Sequence, residues 1–168
     1  MNDRLKTIVN LEKYPIQNLN SPLIKDLIKK CKNDLDHYSC STIPKFILPE
    51  SLKIMNIELE KQISEVYMSK KSINAYLYSK DDPSLSPEHP KRIFMKRNNG
   101  YLNSNLFKKN SEMKFLYEQE ELLKFVSACL GISPIYRWAD PLACHAYNVM
   151  RPDGILPWHF DSCEFTLS

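Results

Sequence analysis

The hydrophobic and polar positions of this chain change period several times, and those changes predict its elements. Thr7-Ile8-Val9 is a short β-branched run that predicts a first strand. Ser21-Pro22 then opens a helix expected to reach about Asp34, with Ser as N-cap and Pro at the first helical position, where its missing N–H costs nothing. Leu23, Leu27, Ile28 and Cys31 recur at helical spacing and predict the buried stripe of that helix. Residues 38–46 read as strand and turn. Pro49-Glu50 starts a second helix with a stripe of Leu52, Met55, Leu59, Ile63 and Val66. Ile73 to Tyr78 alternates like a strand, residues 80–90 with three prolines predict a loop, and Glu120 to Leu130 predicts a helix stopped by Gly131. From Ile135 onward the pattern is predominantly β.

Helices and a few strands thus precede a β-rich tail, with no repeat and no linker between them. One α+β domain over residues 1–168 is expected, helical to about 134 and β from about 135. A hydrophobic content of 43% can fill a core, and 26% charged residues give an ordinary surface. The net charge of +3 comes with Lys29-Lys30, Lys70-Lys71, Lys91-Arg92, Lys96-Arg97 and Lys108-Lys109 scattered along the chain, which predicts solvated faces and no nucleic-acid partner. Five cysteines without a Cys-x-x-Cys pair predict reduced thiols and a cytoplasmic location. No apolar run has the length of a membrane span, so no membrane partner is expected.

Candidate chemistry is concentrated near residue 160. Tyr147-Asn148-Val149-Met150 predicts a strand, Pro152-Asp153-Gly154 a turn in which Gly can take positive φ, and Ile155-Leu156-Pro157-Trp158 a returning strand. On an extended segment His159 and Asp161 share one face with Cα atoms about 6.6 Å apart, and Phe160 points the other way. An imidazole and a carboxylate with open positions suit non-haem Fe(II), whose facial triad has two His and one carboxylate. His-x-Asp by itself is more often surface or capping chemistry. His145 is a candidate third ligand. Pairing Met150 with Ile155 turns it away from the metal face, whereas a slip of one residue brings it round, and the sequence leaves the register open. A zinc site of Cys144, His145, His159 and Cys163 is disfavoured, because His159 and Cys163 on an extended strand stand about 13 Å apart.

Several blocks together resemble the Fe(II)/2-oxoglutarate-dependent oxygenases, in particular the branch of free amino-acid hydroxylases and halogenases. They are Ile8-Val9-Asn10-Leu11-Glu12-Lys13-Tyr14-Pro15, residues 82–90, Leu116-Tyr117-Glu118 leading into Phe125-Val126 and Leu130-Gly131, Tyr136-Arg137-Trp138-Ala139-Asp140-Pro141-Leu142, Asn148-Val149-Met150-Arg151 and Trp158-His159-Phe160-Asp161. The resemblance implies an incomplete double-stranded β-helix of the jelly-roll or cupin type, buttressed by the amino-terminal helices. It implies Fe(II) held by His159 and Asp161, 2-oxoglutarate as co-substrate with Asn148 at its carboxylate, and O₂. Halogenating members are similar but carry Gly where Asp161 stands, so Asp161 implies hydroxylation of a small substrate such as a free amino acid. Arg137 and Asp140 are candidate contacts to that substrate, and Trp158 and Phe160 are expected to pack around the metal strand.

The family's distal His and its 2-oxoglutarate-pairing Arg lie downstream of the His-x-Asp motif, whereas this sequence stops seven residues after Asp161. The expectation is an amino-terminal part that contributes metal ligands but is not active alone, and needs a complementary carboxyl-terminal half. Two alternatives are an inactive truncated homologue serving as an interaction module through its open sheet edge, and a cupin-like metal protein that uses His145.

Overall fold

The computed structural model describes residues 3–168. The chain is α+β, with five α-helices and one three-stranded antiparallel sheet among the described residues. The helices are α1 (Leu5–Ile8), α2 (Pro22–Tyr38), α3 (Pro49–Glu60), α4 (Glu112–Tyr117) and α5 (Glu120–Leu130); the strands are β1 (Tyr67–Ile73), β2 (Met95–Leu102) and β3 (Tyr147–Val149). The chain divides into two compact units, the first formed by residues up to Ile63 with Asn103–His145 and the second by Ser64–Leu102 with Ala146–Ser168. No helix among the described residues is long and apolar enough to cross a membrane.

The first unit contains all five helices and an apolar interior. The Ser21 hydroxyl accepts a hydrogen bond from Ile24 N at 3.3 Å and Pro22 sits at the start of α2, as the sequence predicts, but the helix runs on to Tyr38. Of the predicted stripe, Cys31 is buried and Leu27 and Ile28 pack against the core, whereas Leu23 is exposed and Ile24 is buried in its place. α5 has the predicted bounds, and Gly131 closes it in the left-handed conformation at φ 71°. Leu5, Ile8, Val9, Ile16, Met55 and Phe125 are among the residues that close the core, with Phe46 stacked on Phe125 at 6.1 Å. Cys31 and Cys129 lie side by side in it, and burial pushes the Cys129 thiol up to about 12, which leaves it protonated and unreactive.

Three sequence expectations fail here for identifiable reasons. Thr7-Ile8-Val9 is not a strand: Leu5–Ile8 makes one helical turn, and only Val9 bridges, antiparallel, to Ile47. The stripe expected to run on to Val66 outlasts its helix, because α3 ends at Glu60. Residues 38–46 form no strand, since Tyr38 still belongs to α2 and Ser39 takes a left-handed C-cap at φ 58°.

In the second unit β2 is central, with Lys71 opposite Arg97 on the β1 side and Asn148 opposite Tyr101 on the β3 side. Gly100 keeps this crossing close, since a Cβ there would displace the Val66 and Met68 side chains. The predicted strand over Ile73 to Tyr78 is misplaced, as β1 ends at Ile73. Buried Asn74 then turns the chain, its Oδ1 accepting from Tyr76 N at 3.0 Å and Tyr78 N at 3.1 Å while its Nδ2 donates to Lys91 O at 2.6 Å. The proline-containing stretch is a loop as expected, ordered by Arg92, which grips both Asp81 oxygens at 2.9 Å and donates to Leu85 O at 3.0 Å. The tail after Ile135 is mostly irregular rather than β, and β3 is three residues long.

Candidate metal-ligand pair at His159 and Asp161

The segment that carries the motif starts on β2. Asn98 and Ile155 exchange backbone hydrogen bonds at 2.7 and 2.8 Å, two rungs beyond the Gly100–Val149 pair. The predicted hairpin is therefore absent. Ile155 does not return against β3 but continues along the same edge of β2, and Arg151 to Gly154 form a tight turn closed by Gly154 N donating to Arg151 O at 2.7 Å. Gly154 serves that turn by close approach rather than by positive φ, since a Cβ would lie 2.8 Å from Arg151 O. The Asn98 side chain also secures the turn, donating to Asp153 O at 3.1 Å and Asp153 Oδ2 at 2.9 Å.

Beyond Ile155 the backbone leaves the ladder and bends at Trp158. Phe160 N donates to Ala75 O at 2.8 Å and its ring lies 5.2 Å from that of Tyr76, which ties the motif to the turn after β1. Within this bend His159 Nε2 and Asp161 Oδ1 converge to 3.3 Å. The two side chains meet as the sequence predicts, although a bend rather than a strand brings them together. Trp158, expected to pack around the motif, is 89% exposed.

Each member of the pair is held from behind. His159 Nδ1 lies 2.8 Å from Pro157 O, an acceptor only, so Nδ1 carries a proton and Nε2 is the ring nitrogen that faces Asp161. The other carboxylate oxygen of Asp161 accepts from Thr166 Oγ1 at 2.6 Å, and Thr166 in turn lies 3.3 Å from Cys163 Sγ. A ring nitrogen and a carboxylate oxygen at 3.3 Å suit either a proton on Nε2 facing the carboxylate or a cation held between the two. Ligands about 2.1 Å from a divalent ion at angles of 90–110° stand about 3.0–3.4 Å apart, so the pair fits adjacent positions on one metal.

The remaining predicted residues lie elsewhere. Asn148 is exposed on β3, and its Oδ1 accepts from Asn99 Nδ2 at 3.2 Å. His145 belongs to the first unit, 6% exposed between the rings of Phe107 and Tyr117, each 5.4 Å away, and Cys144 Sγ is 3.2 Å from its Nδ1. Burial, and then the Lys114 charge, hold its pKa below the usual imidazole value. Arg137 is committed to the α4–α5 junction, donating to Tyr117 O, Gln119 O and Glu120 at 2.7–2.8 Å, and Asp140 Oδ1 caps its own turn through Leu142 N at 2.8 Å. Both therefore have structural duties; that of Asp140 is the turn role its sequence position also allows, whereas the junction held by Arg137 carries no sequence signal. Among the described residues no cluster of three or more His, Cys, Asp or Glu is arranged to hold a metal. Thr166, which orients Asp161, was missed altogether because a lone hydroxyl five residues on carries no sequence signal. No protein-family model, curated protein or solved structure matches the chain.

Proposed function

We propose that His159 and Asp161 are two of the three protein ligands of a ferrous site in an Fe(II)- and 2-oxoglutarate-dependent hydroxylase acting on a small substrate such as a free amino acid. The observation that carries the metal reading is the 3.3 Å approach of Nε2 and Oδ1 with Nδ1 tied to a carbonyl, the tautomer and orientation that metal-bound imidazoles need. The reaction class rests on the resemblance of the sequence blocks, which also carries the jelly-roll expectation and the place of Asn148 at the 2-oxoglutarate carboxylate. In this reading the distal His and the co-substrate Arg come from protein outside these 168 residues, and a complementary half completes the fold.

When bound, Fe(II) would supply O₂ activation coupled to 2-oxoglutarate decarboxylation. This chain's part is to hold the imidazole through Pro157 and the carboxylate through Thr166, so that neither ligand must be ordered as metal enters. Anaerobic calorimetry with Fe(II), and with Co(II) as a spectroscopic probe, is expected to show 1:1 binding that His159→Ala and Asp161→Asn each abolish. Supplying a carboxyl-terminal half with the distal His and Arg should then give succinate formation dependent on an amino acid. Binding that survives both substitutions would overturn the reading.

A second reading, an interaction module without catalysis, is favoured by the missing third donor and by exposed Trp158 and Phe160. There the same pair shares a proton instead of a metal, and the imidazole ¹⁵N shifts of His159 would stay unchanged on adding Co(II).

A further inference from the structure

Two basic dipeptides that lie apart in the sequence meet on the sheet. The β1–β2 register sets Lys71 directly opposite Arg97 on one face, and Lys70 opposite Asn98 with Lys96 opposite Ser72 on the other. Lys70 and Lys96 are thus diagonal neighbours, about 7–8 Å apart, and four cations occupy two steps of a two-stranded ribbon. They line a surface hollow of about 380 Å³ whose other walls are Asn98, Asp153 and Ile155. Lys70, Lys71 and Lys96 are exposed.

This arrangement opposes the ordinary rule for sheets, since like charges directly opposite each other are destabilising. No side-chain ion pair relieves it: among the described residues none of the four is joined to a carboxylate. Asp153 is the sole acid lining the hollow, and its carboxylate is engaged by Asn98 at 2.9 Å. Arg97 is oriented by donating from Nε to Asn99 Oδ1 at 2.6 Å, which fixes the guanidinium plane and leaves its terminal nitrogens for another acceptor. Free of ion pairs, with Arg97 oriented and the four cations lining one hollow, the cluster has the character of a site for a multiply charged anion.

We infer that the Lys70, Lys71, Lys96 and Arg97 hollow binds a ligand with consecutive phosphates, either the backbone of a nucleic-acid strand or a free oligophosphate. Four cations spread over both faces of a ribbon match several linked oxyanions better than one, and Arg97 can take one phosphate bidentately. The inference is independent of the His159–Asp161 pair.

The test uses the whole chain, with inorganic tripolyphosphate and a labelled 20-nucleotide single strand as probes, and orthophosphate for comparison. Tripolyphosphate should bind more tightly than orthophosphate and raise the melting temperature. Lys70→Gln/Lys71→Gln should weaken binding by about tenfold, whereas Lys108→Gln/Lys109→Gln, an equal charge change at exposed positions elsewhere, should not. A strand that binds more tightly than tripolyphosphate identifies nucleic acid as the source. The variant should then lower the slope of log affinity against log salt by about 1.4. Tripolyphosphate binding without strand binding identifies a free oligophosphate. Failure of both probes to bind, or equal weakening by the two double variants, overturns the inference.

Discussion

The two units close their interiors by different means. In the first, most buried residues are aliphatic or aromatic, with Ser51, Ser104, Ser111 and His145 as the polar minority, and its helices are held mainly by area removed from water. In the second, Ser69, Asn74 and Asn99 are buried beside Ile73 and Leu102, and the chain is held by directed hydrogen bonds at particular turns. An oily interior tolerates drift in sequence while volume is kept. A hydrogen-bonded one fixes atoms in place but leaves little reserve when a partner is lost. The candidate ligands and the basic hollow both belong to the unit of the second kind, where geometry is set by named bonds rather than by packing.

The sharpest way to break this contrast is to cut into the apolar interior. Phe125→Ala should cost about 3–5 kcal/mol in urea unfolding followed by the helical signal, and a loss below about 1 kcal/mol would mean that the first unit does not rest on burial. Asn74→Ala should cost about 2–3 kcal/mol, because it strands Tyr76 N, Tyr78 N and Lys91 O. Hydrogen exchange should locate that loss at residues 74–78. A smaller effect is expected in pH. His145 has a folded pKa below its ordinary 6.5, so the unfolded chain takes up the proton first. Stability is therefore complete above about pH 6.5 and declines as pH falls below it, and His145→Gln should remove that slope. The smallest effect on stability belongs to His159→Ala, within about 0.5 kcal/mol for a side chain on an irregular, largely exposed segment. The same change should eliminate metal binding, separating a functional residue from a supporting one.

Legibility in the sequence followed locality. α2 and α5 were readable because their ends are written in single residues, Ser21-Pro22 at one start and Gly131 at one stop. β2 was not, since Asn98-Asn99-Gly100 has poor strand propensity and is extended only because β1 and β3 pair with it from either side. Thr7-Ile8-Val9 failed for a related reason, as tertiary packing of Leu5 and Ile8 into the core overrode β-branched preference. The proximity of His159 and Asp161 was expected from an extended strand that is not there; the bend that brings them together and their supports, Pro157 O and Thr166, were not legible. Nor was the charge cluster, because the pairing of Lys71 with Arg97 depends on a register set by the central strand.

The excursion between Val149 and Ile155 has a consequence for how this region can vary. Two residues on β2, Gly100 and Asn98, face partners six apart, so the five residues from Met150 to Gly154 stand outside the ladder as slack. An insertion between Arg151 and Gly154 would open the turn bond and release Asp153 from Asn98, but it lies outside the ladder and spares the backbone pair of Asn98 with Ile155. Removing Pro157 would instead take away the carbonyl that anchors the imidazole. A scan of insertions and deletions along this dozen residues would thus meet permissive ground and, a few positions later, none.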